Sequence, residues 1–244
     1  MDREILLARA EDTADKCEKT SAPAFLGFLT DEEAALIAAF FGGKKIKFGF
    51  FGGFDDATRK YLACLPDWCE DTAYPIMAVT FTFRECDVLS HRDFLGALMG
   101  LGISRESVGD ILVEKARAVV FLSREIAGYV FSQIKKVGSV GVKCEEGYSY
   151  PLPQFSKRVE ACCTVSSLRL DNVVSAICSI SRNEAAQLLE EKRVSLCGLT
   201  VQKTTKLVSS GDKISIRGKG VFYITDTESL SKKGRIILRY EKFI

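Results

Sequence analysis

Between Leu168 and Phe222 the chain sets out cations in a spaced order: Arg169-Leu170-Asp171, Ser181-Arg182, then Lys192-Arg193-Val194 running into a Cys197-Gly198 turn. Lys203 and Lys206 follow, then Gly211-Asp212 and Arg217-Gly218-Lys219-Gly220. Guanidinium groups at the starts of two short helices, beside backbone N–H groups that helix geometry leaves free, suit phosphate oxygens. The Gly-Lys-Gly tripeptide lets backbone come close to a ligand while presenting a charge. Such a surface reads the shape and backbone of RNA, not a run of base edges. Arg169, Arg182, Lys192, Arg193, Lys203, Arg217 and Lys219 are therefore the candidate contacts, with a plain solvated face as the alternative for any one of them. Asp171 reads as structural, pairing with a nearby arginine or with backbone.

Ser90-His91-Arg92-Asp93 carries the residue types of a catalytic relay, but consecutive side chains fan around a helix start and do not converge. Ser90 with Asp93 reads better as a cap. His91 and Arg92 then point outward at a helix N-terminus, either as a solvent-facing pair or, with Arg59, as a secondary set of candidate RNA contacts. The repeated Phe-Phe-Gly-Gly at 40–43 and 50–53 follows neither nucleotide-loop spacing and reads as turns. With one histidine and nine cysteines, none in a C-x-x-C pair, no metal site or cofactor is expected, and no catalytic residue is assigned.

The charge is unevenly distributed. The net +2 hides a tail from Arg169 onward with 14 Lys and Arg against 8 Asp and Glu, preceded by 20 against 24. That asymmetry is the mark of a polyanion-binding module. An apolar content of 47% allows sizeable cores and excludes global disorder. No stretch is apolar for the ~20 residues a bilayer span needs, and residues 1–20 lack a signal-peptide core. The expectation is a soluble, cytoplasmic protein with free thiols, no membrane contact and no DNA partner.

These cations need elements to hold them. A helix is expected over residues 1–20, a loop to residue 30, and a helix from Thr30, where Thr30 and Glu33 form a capping box and Gly42-Gly43 closes it. A strand over 45–51 and a helix over 55–65, stopped by Pro66, complete an N-terminal α/β region, residues 1–74. Residues 75–148 read β-α-β-β-α-β: strands 76–83, 108–113, 116–122 and 139–145, helices 90–101 and 124–137, the ferredoxin-like (RRM-like) order. In its first strand Met77, Val79, Phe81 and Phe83 share one face, and Ile76, Ala78, Thr80 and Thr82 the other. If the aromatics face the helices, no base-stacking platform remains. Residues 149–165 are linker and strand. In 166–244, Leu170, Val173, Val174 and Ile177 mark one helix face, and Ser181 with Glu184 caps the next helix. Strands over 194–196, 213–217, 221–226 and 235–243 follow. The fold class is α+β.

On the residues quoted from 168 to 222, the chain resembles the ribosomal-protein S-four type RNA-binding domain, or αL motif. The matching pattern is R-L-D, S-R-x-x-A, a G-x-V-x-V-N-G-like turn and G-D-x-I-x-V-R-G-K-G, with Lys192 at a usual glycine and Cys197 at a usual asparagine. The segment from Leu89 to Ile103 with Val108-Gly109-Asp110-Ile111, and Phe51-Gly52-Gly53-Phe54 followed by Ala57-Thr58-Arg59, is similar to the YlmH family, Phe54 replacing a tyrosine and Thr58 a glutamate. The resemblance implies a ribosome-associated, monomeric RNA-binding factor that docks on ribosomal RNA and tRNA of the large subunit. It also implies a role in quality control of stalled translation. The rival class is an RNA-modifying enzyme, of pseudouridine synthase or methyltransferase type, or its accessory subunit, because S-four type modules are often attached to such enzymes.

Overall fold

Tyr61, Leu62, Ala63 and Cys64 are all buried, which a half-exposed helix does not allow and a central strand requires. In the computed structural model, which describes residues 3–153, 158–231 and 234–243, they lie in a strand, not in the helix expected over 55–65. A short apolar run ended by proline does not distinguish buried helix from buried strand by its period, and here two neighbouring strands claimed it. One of these neighbours falls in the expected loop before residue 30, where Ala24–Leu29 is a strand.

The elements of the first part run α1 Arg3–Thr20, β1 Ala24–Leu29, α2 Asp31–Phe41, β2 Lys47–Phe51 and β3 Lys60–Leu65. Then come β4 Ile76–Thr82, α3 His91–Gly100, β5 Val108–Glu114, β6 Arg117–Ser123 and α4 Arg124–Gln133. The short strands β7 Lys136–Val137 and β8 Val140–Gly141, with β9 Lys143–Glu146, close it. Helix α4 thus stops four residues before the expected 137, and the strand expected over 139–145 is split in two. Thr30 and Glu33 cap α2 as their spacing predicts.

Two larger antiparallel sheets result, ordered β1-β3-β2 and β5-β6-β4-β9, with β7 and β8 as a separate antiparallel pair. Alternation along each strand then sorts side chains into layers. Leu62 and Cys64 of β3 pack with Leu6, Ala10 and Cys17 of α1 and Ile37 and Phe41 of α2. Val79, Phe81, Val120 and Leu122 of the second sheet pack under α3 and α4 with Phe94, Leu98 and Val130. Between the sheets lie Phe28 and Tyr61 from one side and Leu112, Val119 and Phe121 from the other. Residues 1–74 and 75–148 therefore share a core, in four layers: helices, sheet, sheet, helices. Two glycines permit this closeness. A Cβ on Gly53, at φ 101°, would sit 2.4 Å from the Phe121 ring, and one on Gly109 would sit 2.6 Å from the Phe28 ring.

The chain divides into two compact units, Met1–Phe155 and Ser156–Ile244. Of the stretch 149–165, residues 154–157 lie outside the described residues, and 158–165 forms a strand of the second unit. That unit runs β10 Arg158–Val165, α5 Leu170–Cys178, α6 Arg182–Glu190, β11 Val194–Leu196, β12 Leu199–Thr200, β13 Lys213–Ile216, β14 Gly220–Asp226 and β15 Ile236–Phe243. Its strands form one antiparallel sheet ordered β10-β15-β14-β13-β11-β12. Leu170, Val173, Val174 and Ile177 of α5 and Ala185 and Leu189 of α6 pack on Ile214, Ile216, Phe222, Ile224 and Leu238 of this sheet. Ser181 and Glu184 cap α6 reciprocally.

Candidate nucleic-acid interface

The N-terminal ends of α5 and α6 meet at one carboxylate. Asp171, in the first turn of α5, is 6% exposed. Arg169, the residue before that helix, donates from Nε and Nη2 to its two oxygens, both at 3.1 Å. Arg182, first in α6, donates from Nη2 to Oδ2 at 2.9 Å. Burial pushes the Asp171 carboxyl up, but the hydrogen bonds from Arg169 and Arg182 outweigh it and hold the group below the ordinary carboxylate value. Two cations share one anion, so the cluster keeps a net positive charge. The arginine side chains remain 39% and 56% exposed.

A basic loop lies against this cluster. The N–H of Leu170 donates to the Lys206 carbonyl at 2.7 Å and that of Asp171 to the Thr204 carbonyl at 3.2 Å, so residues 203–206 cover the start of α5. This corrects the expectation of free N–H groups beside Arg169: the loop's carbonyls already use them. The cationic side chains, not the helix terminus, are left to meet an anion there. Lys206 is the cation that the sequence's candidate set left out; its signal was the paired Lys203 and Lys206 before the Gly211 turn.

Lys192, Arg193, Arg217 and Lys219 form a second group. Arg217 N–H donates to the Arg193 carbonyl at 2.9 Å, and Arg193 Nη2 returns a bond to the Arg217 carbonyl at 3.0 Å. Arg193 also pairs with Glu191 at 3.3 Å, so its role is partly structural. Helix α6 separates the groups, since Arg182 opens it and Lys192 follows its end, and nine residues of helix span about 13 Å. Lys192, Lys203, Lys206, Arg217 and Lys219 are exposed, and no ion pair engages them among the described residues. The two residues that depart from the S-four type pattern both sit in left-handed backbone, Lys192 at φ 56° and Cys197 at φ 48°. The glycine and asparagine usual at those positions adopt that conformation more readily.

The secondary set fares differently. Arg59 donates from Nε to the Val108 carbonyl and from Nη2 to the carbonyls of Phe28 and Arg105, at 2.8–3.1 Å. Its guanidinium is a brace inside the first unit, with Nε and Nη2 already taken by backbone carbonyls. Ser90 donates from both N–H and Oγ to Asp93, the cap its spacing predicts. Lost hydration and the nearby Arg105 hold the His91 imidazole below its ordinary value, Asp110 opposing. Arg92 is exposed.

The sheet under α3 offers no stacking platform, for a reason beyond its first strand. Phe81 and Phe83 turn to the helices and meet the Phe94 ring at 5.4 and 6.2 Å. The opposite face carries Phe121, but Phe54 stacks on it at 4.9 Å and Phe28 and Tyr61 cover its neighbours. That face is core.

A family model described as "Putative RNA-binding domain in YlmH" matches residues 70–149. The "Ribosome-associated protein quality control protein P2" of Bacillus subtilis (strain 168) is 29% identical over 222 residues, 88% of this chain and 85% of that protein. The chain is thus similar to YlmH proteins over these spans. A solved structure titled "Cell division protein ylmH from Streptococcus pneumoniae" shares the fold at a TM-score of 0.55 and 19% identity, over 61% of this chain and 92% of that one. The YlmH model falls on β4 to β9 and not on the basic tail. Residues 70–149 hold 9 Lys and Arg against 11 Asp and Glu. Charge therefore distinguishes the matched segment from the C-terminal unit.

Proposed function

We propose that the chain is an RNA-binding protein, not an enzyme. On this reading it docks through its C-terminal unit on ribosomal RNA, tRNA or both, on the large ribosomal subunit. It serves quality control of stalled translation, as a monomer in the cytoplasm. The observation that carries this is the pair of half-exposed arginines fixed on one buried carboxylate beside the 203–206 loop. Fixed guanidinium forks suit phosphate oxygens, and phosphate contacts dominate RNA affinity. The YlmH match and the name of the Bacillus subtilis relative support the ribosomal setting. The strand order β9-β4-β6-β5 with two crossing helices supports a ferredoxin-like domain in the first unit. The helix pair on an antiparallel sheet supports an S-four type domain in the second.

Charge removal by Arg169→Gln, Arg182→Gln and Arg217→Gln tests the reading, because a glutamine amide can still donate to the buried Asp171 carboxylate. The variant should leave ribosomal particles in sucrose gradients while keeping its circular dichroism. The salt slope of RNA binding should fall by roughly 0.7–0.9 for each phosphate that is no longer neutralised. Unchanged particle binding by the folded variant refutes the assigned surface.

A further inference from the structure

Simple electrostatics makes Asp171 a liability on an RNA-facing surface, because a carboxylate repels phosphate. Its placement argues the other way. It is among the few buried charged side chains, and three of its hydrogen bonds are to guanidinium N–H groups at the starts of two different helices. Arg169 is held at both its inner nitrogen, Nε, and a terminal one, Nη2, which fixes the plane of its fork. Arg182 is held through Nη2 alone, and its side chain stays 56% exposed. Without an anchor, each long side chain samples many rotamers and must be ordered again on binding. The 203–206 loop, hung on the same helical turn, places two lysines at the edge of the same spot.

We infer that Asp171 is a positioning residue that presets the Arg169 and Arg182 guanidinium groups for RNA phosphates, so that this acid strengthens the binding of an anion. The inference rests on the RNA-binding reading and specifies how its main contact works. Ion pairs between two exposed side chains are weak, but here the shared acceptor is buried and cannot leave.

The test uses the full chain and a fluorescein-labelled RNA stem-loop, read by anisotropy across a salt series. Asp171→Asn removes one negative charge and nearly no volume. Positioning predicts about tenfold weaker binding, the scale of one charge-assisted hydrogen bond, with a smaller salt slope. Charge counting alone predicts tighter binding. In an Arg169→Gln, Arg182→Gln background the same Asp171→Asn change should have no further effect, because the groups it acts through are gone. A purely structural role would weaken binding equally in both backgrounds. Arg169→Lys with Arg182→Lys keeps every charge and removes the forks, and it should match Asp171→Asn even if the latter folds poorly. If the wild-type chain binds the stem-loop and Asp171→Asn binds as well or better, or the lysine pair binds like wild type, the positioning role is wrong. If the wild-type chain does not bind, the RNA reading itself fails and takes this inference with it.

Discussion

Two buried aspartates, one in each unit, have arginine neighbours and opposite consequences. Asp110 is 3% exposed and accepts from the Thr58 N–H and hydroxyl, each at 2.6 Å, and from the Arg59 N–H at 3.2 Å. The Arg59 guanidinium then turns inward to three carbonyls. Burial holds Arg59 below its ordinary value and pushes Arg105 beside it down to about 10. At Asp171 the carboxylate takes the guanidinium groups directly, and the rest of each arginine faces water. The first arrangement ties sheet to sheet; the second presents charge. What separates a structural arginine from a binding one is where its remaining donors point.

The comparison breaks most visibly at Asp110. Asp110→Ala leaves two backbone N–H groups and a hydroxyl without their acceptor in a buried place, which costs about 3–5 kcal/mol. Melting should fall by roughly 10 °C, while RNA affinity of the folded protein stays at the wild-type value. A collapse of RNA binding with no loss of stability would place the RNA site in the first unit instead.

A smaller effect lies in acid. The Asp171 carboxyl is held below its unfolded value, so the stability it adds is full above about pH 4, the unfolded carboxylate range, and fades as pH falls through its folded value. Urea midpoints of wild type and Asp171→Asn should therefore differ at pH 6 and converge toward pH 3. A gap that stays constant over that range would mean the stabilisation is not that of a charged carboxylate.

The smallest expected change sharpens the distinction between presenting charge and folding well. Lys192→Gly relieves left-handed backbone and should stabilise the second unit by about 1 kcal/mol. It should also lower the RNA salt slope by about 0.7–0.9, the signature of one phosphate contact. A gain in stability with an unchanged slope would remove Lys192 from the interface.

Much of this was legible from residue order because it is local. A capping box needs only four residues, so Thr30 with Glu33 and Ser181 with Glu184 announced both helix starts. The period of Leu170, Val173, Val174 and Ile177 announced which side of α5 is core. The strand-helix-strand-strand-helix run from β4 to α4 and the basic tail were equally plain. Residues 60–65 were not, because an apolar hexad carries no period, and its partners β1 and β2 had to arrive from elsewhere in the chain. Nor was Arg59 separable from Arg169 by type or by neighbours.

Residue order thus dictated the caps, the helix faces and the surplus of cations after Arg169. Folding alone settled which arginines stay outward, that Phe121 lies between two sheets, and that loop carbonyls occupy the start of α5. The physical reason is range: caps and periods are made between residues three or four apart, whereas a guanidinium's partners, such as Phe28, Arg105 and Val108 around Arg59, come from up to 49 positions away.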